Sequence, residues 1–150
     1  MTDNEEVVGA MFAAEMGHVP VIQRELIFTT KRIIVAKKGF AGKLLASLAG
    51  GMIGLWLVTR SEKKQAQTIE QADVEEILMA DAKNYEVLYS EISAAEVKKL
   101  SWLLSWPYSV EIKVHTESDE HRFRARKVKL GEAEDLLRAV LEAKASHPAP

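Results

Sequence analysis

From Gly39 to Val58 the chain runs GFAGKLLASLAGGMIGLWLV, with one charge, at Lys43. As a helix this stretch would reach ~30 Å, about one hydrocarbon core. Lys37, Lys38 and Lys43 stand at its start and Arg60, Lys63 and Lys64 beyond its end. Within it Gly42, Ala46, Gly50 and Gly54 recur every fourth residue, on one side of a helix. Small residues at that spacing let a second backbone approach closely, while each Gly costs a helix about 1 kcal/mol. Taken alone, the segment reads as a membrane span or as a helix that needs a close partner. Its flanks decide between them.

Before it, Glu25-Leu26-Ile27-Phe28-Thr29-Thr30 and Arg32-Ile33-Ile34-Val35-Ala36 are rich in β-branched and aromatic residues, with Thr30-Lys31 as a polar joint. They predict a β-hairpin. After it, residues 61–82 read as a polar amphipathic helix with a stripe of Ile69, Ala72, Ile77 and Ala80, and Thr68 with Gln71 marks a break. Tyr85–Tyr89 is a short strand. Val110, Ile112 and Val114 alternate with polar residues, residues 116–120 turn, and 121–126 alternate again, which predicts a half-buried second hairpin. Gly131 to Lys144 is a helix with Leu130, Leu136, Leu137, Val140 and Leu141 on its apolar face. A frayed tail follows over 145–150.

Two segments stay open on local pattern. In 4–16, Asp3 with Glu6 suits a helix cap and Val8, Met11 and Phe12 have helical spacing, yet Val7-Val8-Gly9 suits a strand. In 95–101, the capping-box pattern Ser93-Ala94-Ala95-Glu96 competes with a strand reading.

With 150 residues, 47% hydrophobic and 28% charged, the chain has the size and composition of one globular domain. Twenty basic against twenty-two acidic residues leave a net charge of −2, so a strongly basic nucleic-acid binder is not expected. The absence of cysteine excludes disulfides, thiolate nucleophiles and Cys-ligated zinc. The acidic start Met1–Glu6 has no export signal, and the expected compartment is the cytoplasm.

Leu26-Ile27-Phe28-Thr29-Thr30-Lys31-Arg32-Ile33-Ile34-Val35 resembles the T-x-x-R-hydrophobic-hydrophobic joint between the second and third strands of prokaryotic pleckstrin-homology-like (PH-like) and GRAM-type domains. Tyr89-Ser90-Glu91-Ile92 is similar to the step that follows in them. The hairpin 109–126 and the helix 131–144 stand where those domains have their last strands and capping helix. The resemblance covers most of residues 5–37 and 85–144. It implies an α+β fold: an antiparallel β-barrel or sandwich capped by a C-terminal helix, over 1–150 as a single domain. It turns 7–16 and 95–101 toward strand, and it makes residues 39–82 a long helical insertion between early and late strands.

A shared barrel also argues against a membrane span. Strands 25–37 and 85–126 must then lie on one side of a membrane, which a single crossing forbids. A second crossing would need 61–82, which carry SEKKQ and DVEE at ~2.5 kcal/mol or more for each central charge. The expectation is a water-soluble protein whose small-residue helix is buried by its barrel, a partner helix or a second subunit. Shallow membrane insertion is the alternative.

Two basic clusters are the candidate anion- or lipid-binding residues. Lys31, Arg32, Lys37 and Lys38 precede the insertion, and Arg122, Arg124 and Arg126 share one strand face. Guanidiniums on one face can meet phosphates with forked hydrogen bonds. In PH-like domains basic residues near early strand joints often meet anionic ligands, which the resemblance carries to Lys31 and Arg32. The simpler reading, preferred on sequence, is a solvated face balanced by glutamates. Trp102-Leu103-Leu104-Ser105-Trp106-Pro107-Tyr108 would suit a membrane interface if exposed. The preferred reading is that it fills a barrel end or a subunit contact.

Catalytic patterns are weak. His115 and His121 flank Glu117, Asp119 and Glu120 without a second shell, and Gly39–Leu44 lacks the spacing and hydroxyl of a phosphate loop. No enzyme activity, metal or cofactor is expected. The expected function is a non-catalytic adaptor that docks an anionic surface or a partner protein, peripheral to the membrane where lipid is the ligand. Self-association through Gly42, Ala46, Gly50 and Gly54 is expected with it. The alternative is a structural protein whose Gly-rich helix drives assembly.

Overall fold

The computed structural model describes residues 5–17, 19–37, 56–57, 67–68, 71–126 and 128–146. Lys38, Lys43, Gly42, Ala46, Gly50 and Gly54, singled out above on their sequence, lie outside the described residues. Among the described residues nine strands form one antiparallel sheet: β1 (Glu6–Glu15), β2 (Ile22–Thr29), β3 (Arg32–Lys37), β4 (Trp56–Leu57), β5 (Gln67–Thr68), β6 (Tyr85–Leu88), β7 (Ile92–Lys99), β8 (Val110–Thr116) and β9 (Glu120–Ala125). Its hydrogen-bonded path is β6-β3-β2-β1-β9-β8-β7, with β4 and β5 paired to β1 off that path. Among the described residues three α-helices accompany it: α1 (Gln71–Ala80), the single turn α2 (Trp102–Ser105) and α3 (Leu130–Ser146).

The two ends of that path, β6 and β7, are separated only by the 3₁₀ turn Tyr89–Glu91. Three residues at ~2 Å each bridge ~6 Å, so the sheet must bend back on itself to bring the end of β6 near the start of β7. The result is an antiparallel β-sandwich. Its inner face carries Met11, Leu26, Phe28, Val35, Val87, Ile112, Val114 and Phe123, and α3 closes it with Ala133, Leu136 and Val140. Early and late ribbons therefore share one core, joined where Ala14 and Glu15 pair with Arg124 and Phe123.

Strands 2 and 3 are buried on both faces, which explains their unbroken apolar runs. Leu26, Phe28, Ile33 and Val35 face the core. By alternation Ile27, Ile34 and Ala36 face outward, and they are buried there too, as are Val74 and Ile77 of α1, which packs on β3. Gly17, at φ +95°, supplies the left-handed residue of the turn after β1.

Several expectations change. Residues 6–15 and 92–99 are strands, as the resemblance implied. Of the helix expected over 61–82, the described residues show Gln71–Ala80, and Gln67–Thr68 instead pairs with Glu6–Val7. The helix expected over 39–58 does not include Trp56–Leu57, which pairs with Ala10–Gly9. Both pairings have one cause: β1 meets β9 over only two residues, and its remaining edge amides need acceptors. At the C-terminus Ala145 and Ser146 belong to α3 rather than to a tail. Leu141 is 45% exposed, because the buried stripe runs through Ala133, Leu136 and Val140 and Leu141 lies one residue around the helix from it. No helix among the described residues is long and apolar enough to cross a membrane.

Candidate functional site

Four regions hold polar or exposed groups that the core does not explain. The first is the outer face of the last three strands. Pairing aligns Lys98, Glu111 and Arg124 in one row and Glu96, Lys113 and Arg122 in the next. Opposite charges alternate across the first row, whereas the second sets Lys113 directly beside Arg122. The Arg124 Nε lies 3.1 Å from Glu111 Oε2, Arg122 approaches Glu111 Oε1 at 4.0 Å, and Lys113 stands between Glu96 and Glu120 at 3.5 and 3.6 Å. Two of the three arginines expected to meet an anion thus face a carboxylate of their own chain. Arg126, beyond the end of β9, stands outside this lattice, its guanidinium 5.6 Å from the Tyr108 ring.

The second is the joint of β2 and β3. Arg32 is buried between Glu5 and Glu86, at 2.9 and 2.7 Å. Burial disfavours its charge, but the two carboxylates outweigh that and raise the guanidinium pKa. This arginine anchors the fold, and its burial removes it from a surface anion site. Lys31 is half-buried and Lys37 exposed, at opposite ends of β3.

The third is a cleft of about 660 Å³ between the ends of β1 and β8 and the starts of β2, β6 and β9. Glu15, Arg24, Tyr85 and His121 line it. Arg24 Nε bonds Glu15 Oε1 at 2.8 Å, and the Tyr85 hydroxyl donates to Glu15 Oε2 at 2.5 Å. The His121 ring lies 5.3 Å from that of Tyr85, with Nδ1 3.3 Å from its hydroxyl. Burial and the Glu15 carboxylate raise the Tyr85 pKa far above its ordinary value, so the phenol acts here as a donor. Arg24 Nη1 is buried without a hydrogen-bond acceptor among the described residues, and its guanidinium lies 5.5 Å from the Tyr85 ring. The sequence held a signal for this cluster: Arg24, Tyr85 and His121 each stand two residues before an inward apolar residue, Leu26, Val87 and Phe123. No group of three or more His, Asp or Glu among the described residues is placed to hold a metal.

The segment after β7 departs from the expected core filling. Leu103, Leu104 and Trp106 are 75%, 90% and 75% exposed. A four-residue helix is too short to bury one face while both of its ends are tied to strands. At the same end of the sheet stand Lys98, Lys99, Arg126 and Lys129, all exposed. No ion pair among the described residues holds any of them. Lys98 and Lys99 escape sequence reasoning because they carry no pattern of their own and matter only beside α2.

No family model matches this sequence, and no curated protein matches it. Solved structures do. One is the hSac2 domain from the human phosphoinositide phosphatase Sac2, with a TM-score of 0.50 at 10% identity over 99% of this chain and 76% of that one. The two share a fold. Another is the C-terminal domain of an unknown protein from Leishmania infantum, with a TM-score of 0.48 at 12% identity over 91% and 85% of the two chains.

Proposed function

We propose that this chain is a non-catalytic binding module of the PH-like type that docks an anionic surface at the end of the sheet where β7 leaves and β8 begins. One observation carries the reading: Lys98, Lys99, Arg126 and Lys129 stand exposed together there, none within ion-pair distance of a carboxylate among the described residues, in a chain whose net charge is −2. Elsewhere on the same strands Lys113, Arg122 and Arg124 each lie within 4.0 Å of a glutamate oxygen. A group of unopposed cations directs a protein to negative charge even when its total charge is negative. A location peripheral to the membrane belongs to this reading.

Co-sedimentation with vesicles tests it. Phosphatidylserine-containing vesicles should retain the protein at low salt and release it at high salt, while phosphatidylcholine vesicles should not retain it. Charge reversal at Lys99 and Arg126 should abolish retention. Equal recovery with both vesicle types, unchanged by that reversal, overturns the reading.

Self-association through Gly42, Ala46, Gly50 and Gly54 stays within the proposal on their spacing alone. A multimer presenting several weak basic ends gains avidity. Leu at Gly50 and Gly54 should break such a multimer in light scattering, and a wild-type monomer at every concentration removes this part.

A further inference from the structure

We infer that α2 is a membrane-contact element: Leu103, Leu104 and Trp106 enter the interface of an anionic bilayer while Lys98, Lys99 and Arg126 hold its headgroups. The inference rests on the anionic-surface reading and adds what touches the hydrocarbon. A leucine 90% exposed gains nothing from its own fold, and three large apolar side chains within four residues make one patch. They project from a single helical turn rather than line a groove, which suits a fluid interface better than a protein surface. Trp106 and the half-buried Tyr108 are residues favoured at headgroup depth. Lysines can lay their apolar stems along such a patch and keep their charge in the phosphate layer.

Charge also argues against a second copy as the occupant. A two-fold contact through this patch would bring the cations Lys98, Lys99 and Arg126 of two copies together, none of them held in an ion pair among the described residues. An anionic bilayer is complementary to both the apolar patch and its cationic surround. The opposite end of β8, seven residues and on the order of 20 Å away, carries Glu117, Asp119 and Glu120, which the same field would repel. The module would therefore dock in one orientation, with the cleft facing away from the lipid.

The chain has no cysteine, so Leu104→Cys can carry a single environment-sensitive fluorophore. On phosphatidylserine/phosphatidylcholine vesicles its emission should shift to the blue and be quenched by brominated acyl chains. The same label at Glu117→Cys should do neither. Leu103→Ser with Leu104→Ser, unlabelled, should weaken vesicle binding about tenfold for each leucine, whereas Lys98→Ala should cost about fivefold. Tight, salt-sensitive binding that the two serines leave unchanged, without quenching at position 104, overturns the inference and leaves anionic docking standing. Absence of binding to anionic vesicles overturns both. Concentration-dependent dimerisation that the serines abolish, without vesicle binding, assigns the patch to a second copy and also overturns it.

Discussion

The Nε of Arg32, at the start of β3, lies 2.9 Å from Oε1 of Glu5, the residue before β1. The same Glu5 oxygen accepts from the Thr29 hydroxyl at 2.7 Å, whose oxygen in turn accepts the amides of Lys31 and Arg32. One carboxylate thus ties the β2–β3 turn to the entry of the first strand. Removing one partner of a buried pair leaves the other charge uncompensated. Arg32→Met should destabilise the fold by about 3 kcal/mol or more in urea titration. Adding Glu5→Gln should recover part of that loss, and strict additivity of the two would refute the pairing.

Asn84 joins helix to sheet. Its Oδ1 accepts the Lys37 amide and its Nδ2 donates to the Ile77 carbonyl, both at 2.7 Å. Asn84→Ala strands one donor and one acceptor, at about 2 kcal/mol. Hydrogen exchange should show the loss concentrated in α1, because that helix has the weaker hold. Uniform loss across the sheet would show that Asn84 pins more than α1.

Residues whose neighbours follow from alternation were legible in the sequence; those placed by partners distant in the chain were not. Val110-Glu111-Ile112-Lys113-Val114 gives its inward and outward sides directly, and both hairpins follow from such runs. Ser93–Glu96 has a capping-box spelling but lies in a strand, since seven register pairs with β8 outweigh one local cap. Gln67–Thr68 and Trp56–Leu57 are too short to show a period and are strands only because β1 offers an open edge. Arg32 reads as a surface cation until Glu5 and Glu86, one of them 54 residues away, are brought beside it. The exposure of Leu103 and Leu104 could not be read locally, because an apolar run looks the same whether it is covered or not.

Ser109 fastens α3 to the sheet. Its hydroxyl donates to the Val128 carbonyl at 2.8 Å and accepts the Val128 amide at 3.1 Å, while its own amide bonds Ala125. The amide of Lys129, the residue after Val128, donates to the Glu132 carboxylate, which caps the helix. Ser109→Ala should cost about 1–2 kcal/mol and raise exchange in the first turn of α3. Ser109→Thr, which keeps the hydroxyl, should cost less. Equal effects from both would mean that packing rather than the hydrogen bonds matters at this position.

Tyr89 makes the fold sensitive to alkali. It is 3% exposed, and burial together with the nearby Glu5 charge raises its pKa well above the ordinary value near 10. Above about pH 10 the unfolded chain loses the phenolic proton while the folded chain keeps it. The native state then binds more protons, so stability falls as pH rises, by about 1.4 kcal/mol per pH unit from this residue. The contribution is fully present below pH 10, and no acid-side effect follows from it. Tyr89→Phe forfeits the hydrogen bond to the Thr29 carbonyl, at about 1 kcal/mol at neutral pH. The difference in urea midpoint between wild type and Tyr89→Phe should therefore be constant from pH 7 to 9 and shrink above 10. A difference that stays constant to pH 11 would show that the phenol ionises as readily folded as unfolded.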